Sequence, residues 1–533
     1  MAPGALRDVL WGSIPLLVVL LSGQPAAAAE PNLAGVSEET SAAAVSPVQQ
    51  FSDLRPSDWA YQALANLIER YGCVSGTPAG AMAGQRSITR FEAAALRNAC
   101  LERVADVTDE LKALIAAFEP ERTQLQGRAA ALEARVGALE SQTFSTTTKL
   151  KGKANLVLGG VGFGGSAIEV ATNTVNTATQ GSQPLTNAVT FNYDVRLTFD
   201  TSFNGSDLLR TELRAGDFDS VSNSLGGGGP TTLSTLEVAF QEQSGRHIMG
   251  IYKLYYQAPL GAGFTATLGG MVAQEDMLAF WPSVYPDSSV LDVMTMAGAP
   301  VAYNYNRGPG AGLWWQRQGW SLSASYVAAS GAVGTPASGG LATANARSTA
   351  TVQLAHQQDA WGLALTYAGV QNGVVPYGTN DLLQRLNSPG TFTNALALSG
   401  YWQPIRGGWI PSISAGWGIN STSSPAPSPA PAGSGAPVTS QSWSVGLQWL
   451  DALAKGNAAG LAFGQAPFVT AQGGGTTPAD ANWTWECWYK VQVSDNISVT
   501  PAVFYLSRPL GQETPAGQSF NQWGALIKTT FLF

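Results

Sequence analysis

Histidine is almost missing from this chain of 533 residues: His247 and His356 are the two it has. A Ser–His hydrolase therefore has little to draw on, and no Gly-x-Ser-x-Gly elbow occurs. His247 follows Gly245-Arg246 and reads as a turn residue; His356 shares a face with Leu354, unlike a buried dyad. No catalytic residue is expected. Charge is also scarce, at 12% of residues, about half the share in an average soluble protein. The net charge of −8 speaks against nucleic acid as a partner, since phosphate binding needs basic stripes. Cysteine numbers three, with no zinc-type spacing, so neither a metal nor a cofactor is expected. Cys73 and Cys100 either pair in an oxidising compartment or stay as two buried thiols; Cys487 has no neighbour in sequence to pair with. Long apolar runs are lacking too. After Ile14 to Leu21, no stretch approaches the ~18 residues that a spanning helix requires. If the chain crosses a membrane it must do so as a closed barrel, because only helices and barrels satisfy the backbone in lipid.

What fills the gap is glycine (60 residues) and aromatics, with 16 Trp, 15 Tyr and 19 Phe, at a mean hydropathy of +0.02. Many aromatics with few charges suit a lipid-facing barrel. The chain opens like an export signal over 1–29, with Arg7, the apolar run and small residues Ala26 to Ala29 for cleavage. Residues 30–47 are rich in Ala, Ser, Glu and Pro and read as linker.

Over 48–103 the apolar spacing is helical: Leu64, Leu67 and Ile68, then a break between Gly72 and Gly76, then a second helix opened by Ile88-Thr89-Arg90-Phe91-Glu92. Phe51-Ser52-Asp53, Trp59-Ala60, the Gly72-to-Gly80 loop and Thr89-Arg90-Phe91-Glu92 together resemble an S-layer homology (SLH) domain. Phe91 departs from that pattern, where a small residue is usual, as does the loop around Ala81-Met82-Ala83. The resemblance implies binding of peptidoglycan-linked polysaccharide by Asp53, Trp59, Arg90 and Glu92, with Arg90 on the polymer's anionic groups and Trp59 shaping a groove. Thr89 and Glu92 also fit a plain capping box, and a helix N-terminus favours anions in either case.

Residues 104–142 carry a seven-residue repeat: Val104, Leu111, Phe118, Leu125, Leu132 and Leu139 are all apolar. The second heptad position begins apolar (Val107, Leu114) and turns polar at Glu121, Arg128 and Arg135. Such a one-sided seam makes either a coiled-coil rod, ~58 Å long if fully helical, or a helix folded back on the preceding module. Pro120 interrupts it.

From 144 to 533 the period changes to two. Val189, Phe191, Tyr193, Val195, Leu197 and Phe199 alternate with Asn192, Asp194, Arg196, Thr198 and Asp200. Trp483, Trp485, Cys487, Tyr489, Val491 and Val493 alternate with Thr484, Glu486, Trp488, Lys490 and Gln492. Apolar-out, polar-in alternation predicts a transmembrane barrel of roughly 16 antiparallel strands, surrounded by outer-membrane lipid. Short turns such as Asn204-Gly205-Ser206 alternate with long loops, Asp217 to Thr232 and Ser421 to Gln441. A charge facing lipid costs ~2–4 kcal/mol at the midplane for Arg or Lys, so Asp194, Arg196, Arg210, Glu212, Arg214, Glu486 and Lys490 are expected to line the lumen. There they either leave a directional field or pair completely and stiffen the wall. Residues 275–306, with Glu275, Asp276, Asp287 and Asp292, are too long for an ordinary turn and are expected to fold inward. The Gly-rich run 307–312 lacks the Lys-Ser/Thr of a phosphate loop and reads as the entry to a strand.

The chain ends with Trp523, Ala525, Ile527, Thr529, Phe531 and Phe533 on one face. A last strand ending in Phe resembles the assembly signal of outer-membrane barrels. Barrel, SLH segment, rod and terminal Phe together resemble the SLH-bearing porins of cyanobacteria, grouped with carbohydrate-selective OprB-like porins and with iron-uptake porins. The resemblance implies passive passage of small hydrophilic solutes or inorganic ions, a homotrimer, and an N-terminal domain in the periplasm tied to the wall. The competing expectations are a mainly structural tether with a narrow or closed pore, and a barrel that displays an adhesin.

Overall fold

The computed structural model describes residues 147–533 apart from 177–180, 183–184, 287–289, 405–407, 424–437 and 474–476, together with Tyr61, Gln62, Leu64, Ala65, Ala93, Ala116, Ala117 and Glu119. These last eight are helical, and Tyr61 and Leu64 are buried. The expectations for the leader, the linker, the Cys73/Cys100 pair, Asp53, Trp59, Arg90 and Glu92, and for most of the 104–142 rod, fall outside the described residues. The chain divides into two units, 1–139 and 140–533.

The second unit is a closed antiparallel barrel of sixteen strands. They are β1 (Thr148–Gly164), β2 (Thr190–Thr201), β3 (Leu208–Gly216), β4 (Gly250–Gly261), β5 (Phe264–Ala273), β6 (Arg307–Arg317), β7 (Trp320–Ala328) and β8 (Ser348–Gln357). The circuit continues with β9 (Trp361–Gln371), β10 (Phe392–Trp402), β11 (Ser412–Ser423), β12 (Val438–Leu450), β13 (Ala458–Gln472), β14 (Trp483–Ser494), β15 (Ile497–Ser507) and β16 (Asn521–Leu532). Every strand pairs with its neighbours in sequence, and β1 closes on β16 in a register that sets Lys153 against Leu532 and Gly164 against Asn521. Closure leaves no unpaired sheet edge facing lipid. At the seam Phe533 exchanges backbone hydrogen bonds with Gly152. A Cβ on Gly152 would collide with the Phe533 ring, so glycine there makes room for the last aromatic.

The outward faces carry Leu322, Leu354, Leu363, Leu365, Leu396, Leu398 and Ile527, all exposed. Exposed aromatics stand at both ends: Trp320, Trp361 and Trp402 at the end with short turns, and Phe191, Phe392, Trp483 and Trp523 at the other. This is the paired aromatic girdle of a membrane barrel. His356 sits in the first girdle, its ring 4.5 Å from Trp320 and 5.5 Å from Trp361. Among the described residues no helix is long and apolar enough to cross a membrane.

Connections alternate. One end has hairpins such as 262–263 and 318–319; the other has the long segments 217–249, 274–306 and 372–391. Gln318 and Gly319 both have positive φ (52° and 81°), the conformation of a two-residue turn that matches strand twist. The second loop foreseen in the sequence is shorter than read: β11 and β12 pair up to Thr422 and Val438, because the Ser/Thr-rich ends of that stretch extend the hairpin. Among the described residues three short α-helices lie in the long loops: α1 (Ile168–Asn173), α2 (Asp292–Thr295) and α3 (Asn380–Leu386). The core is inside the barrel. Phe218, Leu225, Leu233, Leu236 and Val238 from one loop and Tyr285, Val290, Leu291, Val293 and Met294 from another are buried with the inward Val157, Trp488, Phe504 and Leu526.

Candidate functional site

The lumen has two unlike walls, and the inward side chains of each strand decide which is which. From β8 to β12 they are uncharged and mostly small, among them Thr349, Thr351, Gln353, Ala364, Thr366, Ala395, Ala397, Ser399, Ser414, Asn420, Ser440 and Ser442, all buried. Segment 274–306 lies along this wall. Gln274 Nε2 donates to Thr351 Oγ1 (2.7 Å), Ser399 Oγ to the Ala297 carbonyl (2.8 Å) and Ser442 Oγ to the Gly298 carbonyl (3.0 Å). Tyr303 Oη and Thr366 Oγ1 share a bond of 2.7 Å, and Ser414 Oγ accepts from the amides of Val284 and Tyr285. A Cβ on Gly416 would collide with the Ala297 carbonyl, and one on Gly418 would crowd Ala299, so these glycines admit the loop backbone.

The loop's far anchor is Glu486 on β14. Its carboxylate is fully buried and accepts from Tyr285 Oη (2.7 Å) and the amides of Leu291 (2.6 Å) and Val290 (3.3 Å). Trp488 Nε1 donates to the same Tyr285 hydroxyl (2.8 Å). Glu486 thus faces inward but lies beneath the loop and has no exposure to open lumen.

The opposite wall, β16 and β1 to β4, is charged. Asp194 is fully buried and accepts from Arg214 Nε (2.5 Å), Arg196 Nε (3.2 Å) and Asn155 Nδ2 (3.2 Å). Asp200 accepts from Arg210 (2.7 Å) and Lys151 (3.0 Å). Glu212 is buried and sits opposite Lys253, while Lys490 on β14 is partly buried. The arginines of the alternating pattern are therefore ion-paired, and three carboxylates on this wall come from two loops that periodicity does not place. Arg196 reaches Glu237 of segment 217–249 at 3.0 Å, and Lys253 reaches Glu275 (3.1 Å) and Asp276 (2.9 Å) of segment 274–306. Burial alone would raise the Glu237 carboxyl, but Arg196, with Lys153, Lys528 and Arg214, outweighs it and holds the group at about 2. Asp292 on α2 goes the other way. Burial, with Glu237 nearby, pushes it up to about 6, against the hydrogen bond of 2.6 Å from Tyr377 Oη.

Sequence periodicity missed Glu237, Tyr252, Lys253 and Arg307. Tyr252 sits where the β3–β4 register slips near Glu212 and Leu213, so its alternation is broken. Arg307 was visible only as the first residue of a Gly-rich strand. Lys149, Lys151 and Lys153 stand at period two on β1, so the sequence does carry a signal for that part of the charged wall.

An apolar, aromatic-ended exterior, a charged lumen and a loop folded across it define an outer-membrane porin. The sequence comparison gives the particular family: residues 113–525 match the carbohydrate-selective porin, OprB family, and the chain belongs to it. Porins are diffusion channels, not enzymes. A second match, to the S-layer homology domain, covers residues 50–94. The protein resides in the outer membrane, with this N-terminal segment on the periplasmic side. An uncharacterised protein of Nostoc sp. is 31% identical over 92% of this chain and 85% of its own length. One of Synechocystis sp. is 29% identical over 92% and 91%. Among solved structures, the high-pH form of Pseudomonas putida OprB aligns with 74% of this chain and 97% of its own at 11% identity and a TM-score of 0.46. The anion-selective porin of Comamonas acidovorans aligns with 73% and 99% at 11% identity and 0.42.

Proposed function

We propose that the protein passes small hydrophilic solutes and inorganic ions by passive diffusion and holds the outer membrane to the cell wall through its S-layer homology segment. The observation that carries the channel reading is the division of the lumen. The inward loop lies on the uncharged wall, which leaves part of the charged wall in contact with water: the side chains of Lys151, Arg210 and Arg196 are 65%, 29% and 18% exposed. Sugars, which the family's description names, and salts are both candidates for passage, since paired charges and hydroxyls hydrogen-bond either class. Asp53, Trp59, Arg90 and Glu92 are the proposed contacts to peptidoglycan-linked polysaccharide. The seam from Val104 to Leu139 is the proposed source of a homotrimer.

A second reading, a tether with a closed barrel, is favoured by one observation: the apolar cluster of Phe218, Leu225, Leu233, Leu291, Trp488 and Phe504 fills part of the lumen. Liposome swelling with sugars of increasing size and with salts separates the two. A channel gives swelling that falls steeply with solute size; swelling no faster than that of empty liposomes leaves only the tether. For the tether itself, Arg90→Ala is expected to release the protein from purified peptidoglycan sacculi, and undiminished retention would contradict the assignment of Arg90.

A further inference from the structure

We propose that the lumen holds an anion-binding site on Lys153, Arg196, Arg214 and Arg307, which takes small oxoanions and carboxylate-bearing solutes in transit. This rests on the channel reading above and names the solute class that the charged wall selects.

Strand register makes the first argument. Lys153 of β1 lies directly opposite Arg196 of β2, and Arg196 directly opposite Arg214 of β3. Three like charges in one cross-strand row repel one another and destabilise the sheet. Such a row is tolerable only where anions face it. The protein supplies some of them: Asp194 and Glu237 are in ion pairs with the row, and Glu212 and Asp292 also face it.

The row continues through an aromatic ring. The guanidinium carbon of Arg214 is 4.7 Å from the centroid of Tyr252, that of Arg196 5.9 Å, and that of Arg307 3.6 Å. Phe240 stands edge-on to Tyr252 at 5.4 Å and takes Arg214 at 4.5 Å. Among the described residues, neither Lys153 nor Arg307 has a carboxylate within ion-pair distance, and both are partly exposed. A guanidinium stacked by its face keeps its in-plane N–H donors free. Those donors form the fork that binds a carboxylate or phosphate with two parallel hydrogen bonds. Arg307, its guanidinium carbon 3.6 Å from the Tyr252 centroid, has no ion pair among the described residues, while Lys153, in the same cross-strand row as Arg196 and Arg214, supplies a second charge. A neutral solute would satisfy the donors but leave Lys153 and Arg307 without an ion-pair partner.

The experiment uses the full-length protein in planar bilayers, with potassium chloride as carrier and inorganic phosphate as probe. Wild type is expected to show a zero-current potential on the chloride side and a chloride current that phosphate reduces. Arg307→Gln is expected to move the potential toward potassium and to raise the half-blocking phosphate concentration about tenfold, the loss of a charge-assisted pair. Arg307→Lys is expected to keep the potential and lose most of the block, because an ammonium has charge without the fork. Lys153→Gln, at a partly exposed position, provides the same reading if the Arg307 variants assemble poorly. Unchanged potential and unchanged phosphate block in Arg307→Gln and Lys153→Gln, with wild-type conductance, would overturn the site and leave the channel standing. A folded wild-type protein that passes no current would overturn the channel reading, and the site with it.

Discussion

Asp194 shows how single residues organise the lumen. It has no exposure, yet three donors from three strands converge on it: Asn155, Arg196 and Arg214. Arg214 is itself 4% exposed and also donates to the Val238 carbonyl at 3.3 Å, which ties the wall to segment 217–249. Removing one partner of a buried pair costs more than the pair is worth, because the other charge is stranded. Arg214→Gln is therefore expected to destabilise the barrel by about 3 kcal/mol, seen as a lower temperature for conversion of the folded to the unfolded band on a denaturing gel. An unchanged conversion temperature would mean that Arg196 and Asn155 alone satisfy Asp194. At this scale the sequence was half legible. Period-two alternation put Asp194, Arg196, Arg210, Glu212 and Arg214 on the inward face. It gave no sign that Glu237 would arrive from a loop, since a contact between residues 41 apart leaves no local pattern.

The element that shapes the pore is segment 274–306. Its length announced an inward loop, but not the wall it takes. That wall is set by smallness: Gly416, Gly418, Ser399, Ser414 and Ser442 let a backbone approach and then hydrogen-bond it. The acids of the loop do not mark the wall it takes; the row of small residues that receives it does. Glu486 likewise read as a lining charge, whereas its geometry makes it the clamp on Tyr285, Val290 and Leu291. Glu486→Ala and, separately, Gly416→Val are expected to loosen the loop without opening the barrel. In planar bilayers both variants should show larger unitary conductance and greater open-channel noise than wild type. Conductance and noise equal to wild type in both would place the narrowest point of the pore elsewhere, at segments 217–249 or 372–391.

The whole molecule joins two segments, a porin barrel and an S-layer homology segment, whose sequence signals differ in kind. The barrel was legible because closure in lipid imposes a rule on every strand: apolar outward, polar inward, short turns at one end and long loops at the other. Phe533 against Gly152 completes that rule at the seam. The S-layer homology segment was legible through Phe51-Ser52-Asp53, Trp59-Ala60 and Thr89-Arg90-Phe91-Glu92, and residues 50–94 match that domain. What periodicity does not encode is the filling of the lumen, where side chains from non-adjacent loops decide how much water-accessible space remains. A diffusion channel requires such space to run from end to end between the loop and the charged wall. The direct measurement is single-channel recording of the purified, folded wild-type protein in a planar bilayer. The expected result is discrete conductance steps that rise with potassium chloride concentration and are smaller than those of Glu486→Ala. A folded, heat-modifiable protein that inserts and yields no steps at any salt concentration would contradict it.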